Sequence, residues 1–195
     1  MKNISELIIQ NVQDEVSLDK LQVIKMKYAL EVIKNEGIKM ILLFCFYSFL
    51  HLQYIFLFCL LLLLPVRSFS GGLHMKTNVT CFLFSFSFFL LPILILPKIT
   101  IPIGVDYVLL VISIITIWIC SPVATSRKPI VSKEKYIRCK HMAVITSLAA
   151  GILLLLLKDH PVYQQCGIWI VFLQALQLAI AFVFKRKEGF NYEKL

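Results

Sequence analysis

Apolar residues run almost unbroken through residues 40–66, 82–96, 105–120, 142–157 and 168–184, and polar residues crowd into the gaps between them. Residues 1–36 follow a different pattern. Ile4, Leu7, Ile8 and Val12 recur at helical spacing, as do Leu21, Ile24, Tyr28, Val32 and Ile33. This periodicity predicts amphipathic helix, suited either to lie on a membrane surface or to pack on the rest of the protein. Asn35 and Gly37 are expected to end or bend it. The run 40–66 is too long for a single span of about 20 residues and too short for two. His51 and Gln53 interrupt it, with eleven residues before His51 and thirteen after Gln53. A short helical hairpin with His51-Leu52-Gln53 at its tip is the favoured reading, and a single tilted span is the alternative. The 82–96 run should continue a helix beginning within residues 75–78, bent or ended by Pro92 and Pro97. The 105–120 run precedes Ser121-Pro122. The last two runs form a pair joined by Lys158-Asp159-His160-Pro161.

The expected fold is therefore all-α: a polytopic integral membrane bundle of about six hydrophobic helices, the first two short. One domain covers 1–195, with an amphipathic region at 1–39, membrane helices at 40–184 and a basic tail at 185–195. Composition agrees. The chain is 59% hydrophobic, against roughly 45–50% apolar residues in soluble domains. Mean hydropathy is +0.83 in only 22.4 kDa. No cleavable signal peptide is expected, because the first residues are charged and lack a short apolar core with a cleavage site.

Charge sets the orientation. The net charge is +9, but no soluble basic domain exists to hold nucleic acid. The cations instead mark cytoplasmic flanks and anionic headgroups. Arg127, Lys128, Lys133, Lys135, Arg138 and Lys140 form one cluster, and Lys185, Arg186, Lys187 and Lys194 another. Two spans separate them, so both are expected on the cytoplasmic side. Counting back two more spans puts residues 67–78 there, and a hairpin at 40–66 puts the N-terminus there too. Cys45, Cys59, Cys120 and Cys166 lie in or beside apolar runs and read as small hydrophobes. Neither a metal-ligand spacing nor a disulfide framework emerges, and no metal or cofactor is expected.

One stretch carries reactive chemistry. Arg67-Ser68-Phe69-Ser70-Gly71-Gly72-Leu73 leads into His74, and Cys81 follows seven residues later. A thiol and an imidazole beside a flexible Gly-Gly pair are the makings of a nucleophile and its base. On a continuous helix, seven residues would hold the two about 10.5 Å apart, whereas a general base works within about 3 Å or through one water. The chain must therefore bend, and Gly71-Gly72 permits it. His74 is expected on a loop folded over Cys81, and Cys81 in the first turns of the next helix. There the helix dipole and a nearby imidazolium favour thiolate. No carboxylate lies nearby in sequence to orient His74; Asn78, Ser85 and Ser87 are weak candidates. Arg67 reads as a headgroup contact, a substrate clamp or a brace for the kink. Asn78-Val79-Thr80 has the form of a glycosylation sequon, but on the cytoplasmic side it is discounted.

Arg67, Gly71, Gly72, His74 and Cys81 together resemble the signature of the accessory gene regulator B family of Gram-positive bacteria. Ser121-Pro122 followed by Arg127-Lys128-Pro129-Ile130 is similar to that family's basic loop after the central spans. Met75 departs from the Ala common after the histidine, away from the chemistry. The resemblance covers nearly the whole chain. It implies a membrane cysteine endopeptidase with His74 and Cys81 as the catalytic pair and no cofactor. Arg67, Gly71, Gly72, Arg127, Lys128 and Pro129 become candidates for substrate binding. The implied partner is a short quorum-sensing precursor with an amphipathic leader, a signal segment holding an internal Cys or Ser, and an acidic tail. The enzyme removes the tail and leaves the signal as a thiolactone or lactone. A homodimer is compatible with the family, though no small-residue pattern demands one. The competing class is a small exporter or scaffold for a hydrophobic peptide, with His74 and Cys81 structural. Internal repeats and midspan charges, which a transporter should carry, are not evident.

Overall fold

A computed structural model of the protein describes residues 19–73, 77–99, 102–123 and 132–187. Among these the regular structure is entirely helical. The chain divides into two compact units, Met1–His51 and Leu52–Leu195.

In the first unit, α1 spans Lys20–Phe49. The Asp19 amide donates to the Gln22 side chain at 3.0 Å and satisfies one free end group. The helix passes through Asn35 and Gly37 without a break, contrary to the expected end or bend. One glycine in a helix interior costs only about 1 kcal/mol, which thirty residues of continuous hydrogen bonding absorb. The Lys39 ammonium meets the Glu36 carboxylate at 2.7 Å, one turn away. Ile4, Leu7, Ile8 and Val12 of the expected amphipathic region lie outside the described residues.

The apolar run 40–66 is broken where its polar pair predicted. α1 ends at Phe49, His51 takes a left-handed φ of 57°, and α2 begins at Gln53. A single unbroken helix through 40–66 is thereby excluded.

Among the described residues, the second unit holds five α-helices. α2 is Gln53–Ser70 and α3 is Asn78–Leu90. α3 widens into a π turn at Leu91–Ile95 and tightens into a 3-10 turn at Leu96–Lys98. Pro92 and Pro97 sit in those turns, where a missing N–H is accommodated by changed helix winding. α4 is Ile103–Cys120, α5 is Lys133–Leu156 and α6 is Pro161–Lys187. α5 and α6 start earlier than hydropathy alone places them. The Ser132 hydroxyl accepts from the Lys135 amide at 3.3 Å and caps α5 ahead of its apolar part. Pro161 opens α6 at the first helical position, which proline favours.

Four helices, Gln53–Ser70, Asn78–Lys98, Lys133–Leu156 and Pro161–Lys185, are long and apolar enough to cross a membrane, and Gly104–Cys120 is a shorter apolar helix. Their outward residues match that role. Leu61, Leu83, Ile112, Ile119, Leu156 and Val183 are all exposed.

α6 is the hub, with Ile168, Ile170, Val171, Ala175, Leu178 and Ala181 buried. It packs on α2, α4 and α5. Phe58 of α2 meets Tyr163 of α6 edge to face at 5.4 Å, and Ser70 of α2 meets Gln174 of α6 at 3.0 Å. The residue numbers rise together, so α2 and α6 run parallel and their C-terminal ends point the same way. Small residues allow close approach. A Cβ on Gly151 of α5 would lie 2.9 Å from Ile114 of α4, and one on Gly167 of α6 would collide with Leu154 of α5.

Candidate active site

α2 ends in a backbone that only glycine adopts readily. Gly71 has φ 82° and ψ −154°, in a region almost reserved for residues without a side chain. Its N–H closes the helix on the Arg67 carbonyl at 3.0 Å. A Cβ there would stand 2.5 Å from the Val123 carbonyl oxygen. That approach is fixed by the Val123 N–H, which donates to the Ser70 carbonyl at 2.9 Å. The segment Ser121-Pro122-Val123, buried after α4 and holding a cis bond before Pro122, thus pins the end of α2.

The other side of the break rests on α6. The Gln174 side-chain amide donates to Ser70 Oγ at 3.0 Å and to the Gly71 carbonyl at 3.0 Å. Gln177 in turn donates to the Gln174 carbonyl oxygen. Gln177 also lies against Gly72, where an added Cβ would be 3.3 Å from its Nε2. Gln174 and Gln177 are 0% and 4% exposed, so this polar cluster sits inside the bundle.

Arg67 is one turn back on α2. Its guanidinium reaches the Leu73 carbonyl at 3.5 Å and lies 5.8 Å above the Phe88 ring. Of the roles open to it from sequence, bracing the kink matches these contacts.

Cys81 occupies the first turn of α3. Thr77, at φ −110° and ψ 155°, is the extended residue before that helix. Its hydroxyl accepts from the Thr80 amide at 3.2 Å, and its carbonyl from the Cys81 amide at 3.0 Å. The unbroken helix that would have separated positions 74 and 81 is therefore not formed. The Cys81 N–H is consumed within the helix, while the Asn78 and Val79 amides have no intrahelical acceptor. Cys81 is 5% exposed and shares a face with Phe88 and Phe89 at seven and eight residues' spacing. Phe89 packs edge to face on Phe56 of α2 at 5.0 Å, so this face looks toward α2. Among the described residues no group of three or more His, Cys, Asp or Glu could hold a metal ion.

His74, Arg127, Lys128 and Pro129 lie outside the described residues. The placed members of the sequence-predicted set, Arg67, Gly71, Gly72 and Cys81, all belong to the end of α2 or the start of α3. Gln174 and Gln177 were not anticipated. Their signal was two amides three residues apart in an otherwise apolar run.

The family model described as accessory gene regulator B matches residues 2–178. The chain belongs to the accessory gene regulator B family. Among curated relatives, accessory gene regulator protein B of Staphylococcus carnosus (strain TM300) is 30% identical, covering 92% of this chain and 93% of its own. Its namesake in Staphylococcus saprophyticus subsp. saprophyticus is 28% identical over 89% of this chain and 90% of its own. That of Staphylococcus aureus (strain Newman) is 30% identical over 88% and 89%. No solved structure matches the chain. Membership sets this helical membrane protein within the accessory gene regulator system of quorum sensing.

Proposed function

We propose that this chain is a membrane cysteine endopeptidase that trims and cyclises a quorum-sensing peptide precursor, with Cys81 as nucleophile and His74 as base. The observation that carries the reading is the setting of Cys81. It is a buried thiol in the first turn of α3, a helix that starts at Asn78 after extended Thr77, so that no continuous helix joins positions 74 and 81.

The Cys81 thiolate attacks the carbonyl carbon preceding the acidic tail. His74 takes the thiol proton and delivers it to the departing amine as the C–N bond breaks, leaving an acyl-enzyme thioester. The precursor's own thiol then attacks that thioester. A new S–C bond forms, the bond to Cys81 breaks, and the proton returns to the enzyme's sulfur. Thioester exchange is close to thermoneutral, so ring closure keeps the acyl energy that hydrolysis would dissipate. A Ser in place of the internal Cys gives a lactone. The Asn78 and Val79 amides are suited to receive the oxyanion. The neighbouring Phe82, Phe84, Phe86, Phe88 and Phe89 limit water at the thioester. Exposed Lys133, Lys135 and Arg138 at the start of α5 attract an acidic tail on the cytoplasmic side.

The test is co-expression with a precursor, scored by mass spectrometry. Cys81→Ala and Cys81→Ser should leave the tail in place while the protein accumulates in the membrane at wild-type levels. Tail removal by either variant would defeat the proposal.

A further inference from the structure

Resting on that reading, we propose that Gln174 and Gln177 of α6 are positioning residues for the proposed reaction, an amide clamp that fixes the Gly71-Gly72 break from which the chain leads on to His74. Two uncharged amides in an apolar helix are costly unless their hydrogen bonds are made. Gln174 makes three, to Ser70 Oγ, to the Gly71 carbonyl and to Gln177. These contacts join α6 to residues 103 and 104 positions away in sequence, and they fall on the two residues where the backbone leaves α2. Ser70 passes the contact on: its hydroxyl accepts from Gln174 and donates to the Gly71 carbonyl at 3.4 Å.

The pair is ordered along the helix. Gln174 holds Ser70 and Gly71, and Gln177, one turn further on, lies under Gly72. Three consecutive residues are thus gripped by one face of α6. Gly72 precedes His74 by two residues, so their Cα atoms lie within roughly 7 Å whatever path the chain takes. A shift of the break therefore moves the anchor that limits where His74 can reach. The Gln177 side-chain carbonyl oxygen, buried and without a hydrogen-bond partner among the described residues, is a spare acceptor of the clamp. A peptide N–H bound beside Gly72 would satisfy it.

A packing role and a positioning role predict different behaviour. The full-length enzyme is reconstituted in liposomes and assayed with a synthetic precursor. Gln174→Leu keeps the size and removes the amide. It should lower kcat about 30-fold and leave KM within about two-fold, since misplacing a reacting group by an ångström costs on the order of 100-fold. Ser70→Ala removes one end of the same contact and stands in if Gln174→Leu fails to accumulate. The double variant should be no slower than Gln174→Leu alone, the signature of a shared interaction.

The second readout needs no substrate. Alkylation of Cys81 by iodoacetamide, followed on its own peptide by mass spectrometry, should slow about ten-fold in His74→Ala, because an imidazole within reach promotes thiolate. Gln174→Leu should slow it as well. If His74→Ala slows alkylation and Gln174→Leu does not, the clamp is only packing and the inference falls. If His74→Ala leaves alkylation unchanged, the Cys–His reading itself fails.

Discussion

Replacing Gly71 by alanine probes the break most directly. The wild-type backbone sits at φ 82° and ψ −154°, where a residue with a side chain carries about 1–3 kcal/mol of strain. The new Cβ would also lie 2.5 Å from the Val123 carbonyl oxygen, and the obstacle is backbone rather than a movable side chain. Relief requires the Ser121–Val123 segment to withdraw, which sacrifices the Val123 to Ser70 hydrogen bond, worth about 1 kcal/mol. Strain and lost bond together give a destabilisation of about 2–4 kcal/mol. Gly104→Ala is the control, because nothing lies within 4 Å of its added carbon. Thermal unfolding in detergent, followed by the fluorescence of Trp118 and Trp169, should drop clearly for Gly71→Ala and stay level or rise for Gly104→Ala. Tail removal should fall at least about ten-fold for Gly71→Ala, since the chain leading to His74 is redirected. A Gly71→Ala protein with wild-type melting and wild-type processing would refute the account of the break.

Other perturbations test separate parts. Gly167→Ala forces a methyl onto Leu154 and to 3.2 Å from Phe58, and should destabilise the bundle by about 1–3 kcal/mol in the same melting assay. Arg67→Lys keeps the charge but loses the planar group over Phe88 and the reach to the Leu73 carbonyl. It should slow processing about ten-fold without lowering membrane accumulation. Reversing Lys133 and Arg138 to Glu should raise KM for a precursor with an acidic tail and abolish its salt dependence, while leaving a precursor with a neutral tail unaffected.

Hydropathy carried most of the architecture because a membrane helix must bury its own backbone polar groups and clothe itself in apolar side chains. His51 and Gln53 announced the interruption of the first run correctly. The starts of α5 and α6 were harder to read. Capping by Ser132 and entry at Pro161 extend each helix beyond its apolar part, and hydropathy responds only to that part. Gly37 misled because a lone glycine is cheap in a long helix. At the site, Gly71, Gly72 and Cys81 were legible as residue types whose chemistry is local. Gln174 was not, because its partners lie a hundred residues away and only the parallel course of α2 and α6 brings them together. The two amides were visible in the sequence, but their address was not.

That parallel course also sets a depth. The glycine break meets α6 at Gln174, close to the middle of Pro161–Lys187. With α6 upright in a lipid bilayer, the distance from Gln174 to Lys185 is roughly 16 Å at 1.5 Å per residue, about half the thickness of the hydrocarbon layer. On the proposed function, the scissile bond would then have to sink well beneath the phosphates to be cut. Extended peptide carries bare N–H and C=O groups into that layer only if the protein supplies partners or a wet passage. A precursor anchored in the same leaflet needs to lower only a short strand, whereas a free peptide of identical sequence around the cut would have to desolvate entirely from the aqueous phase.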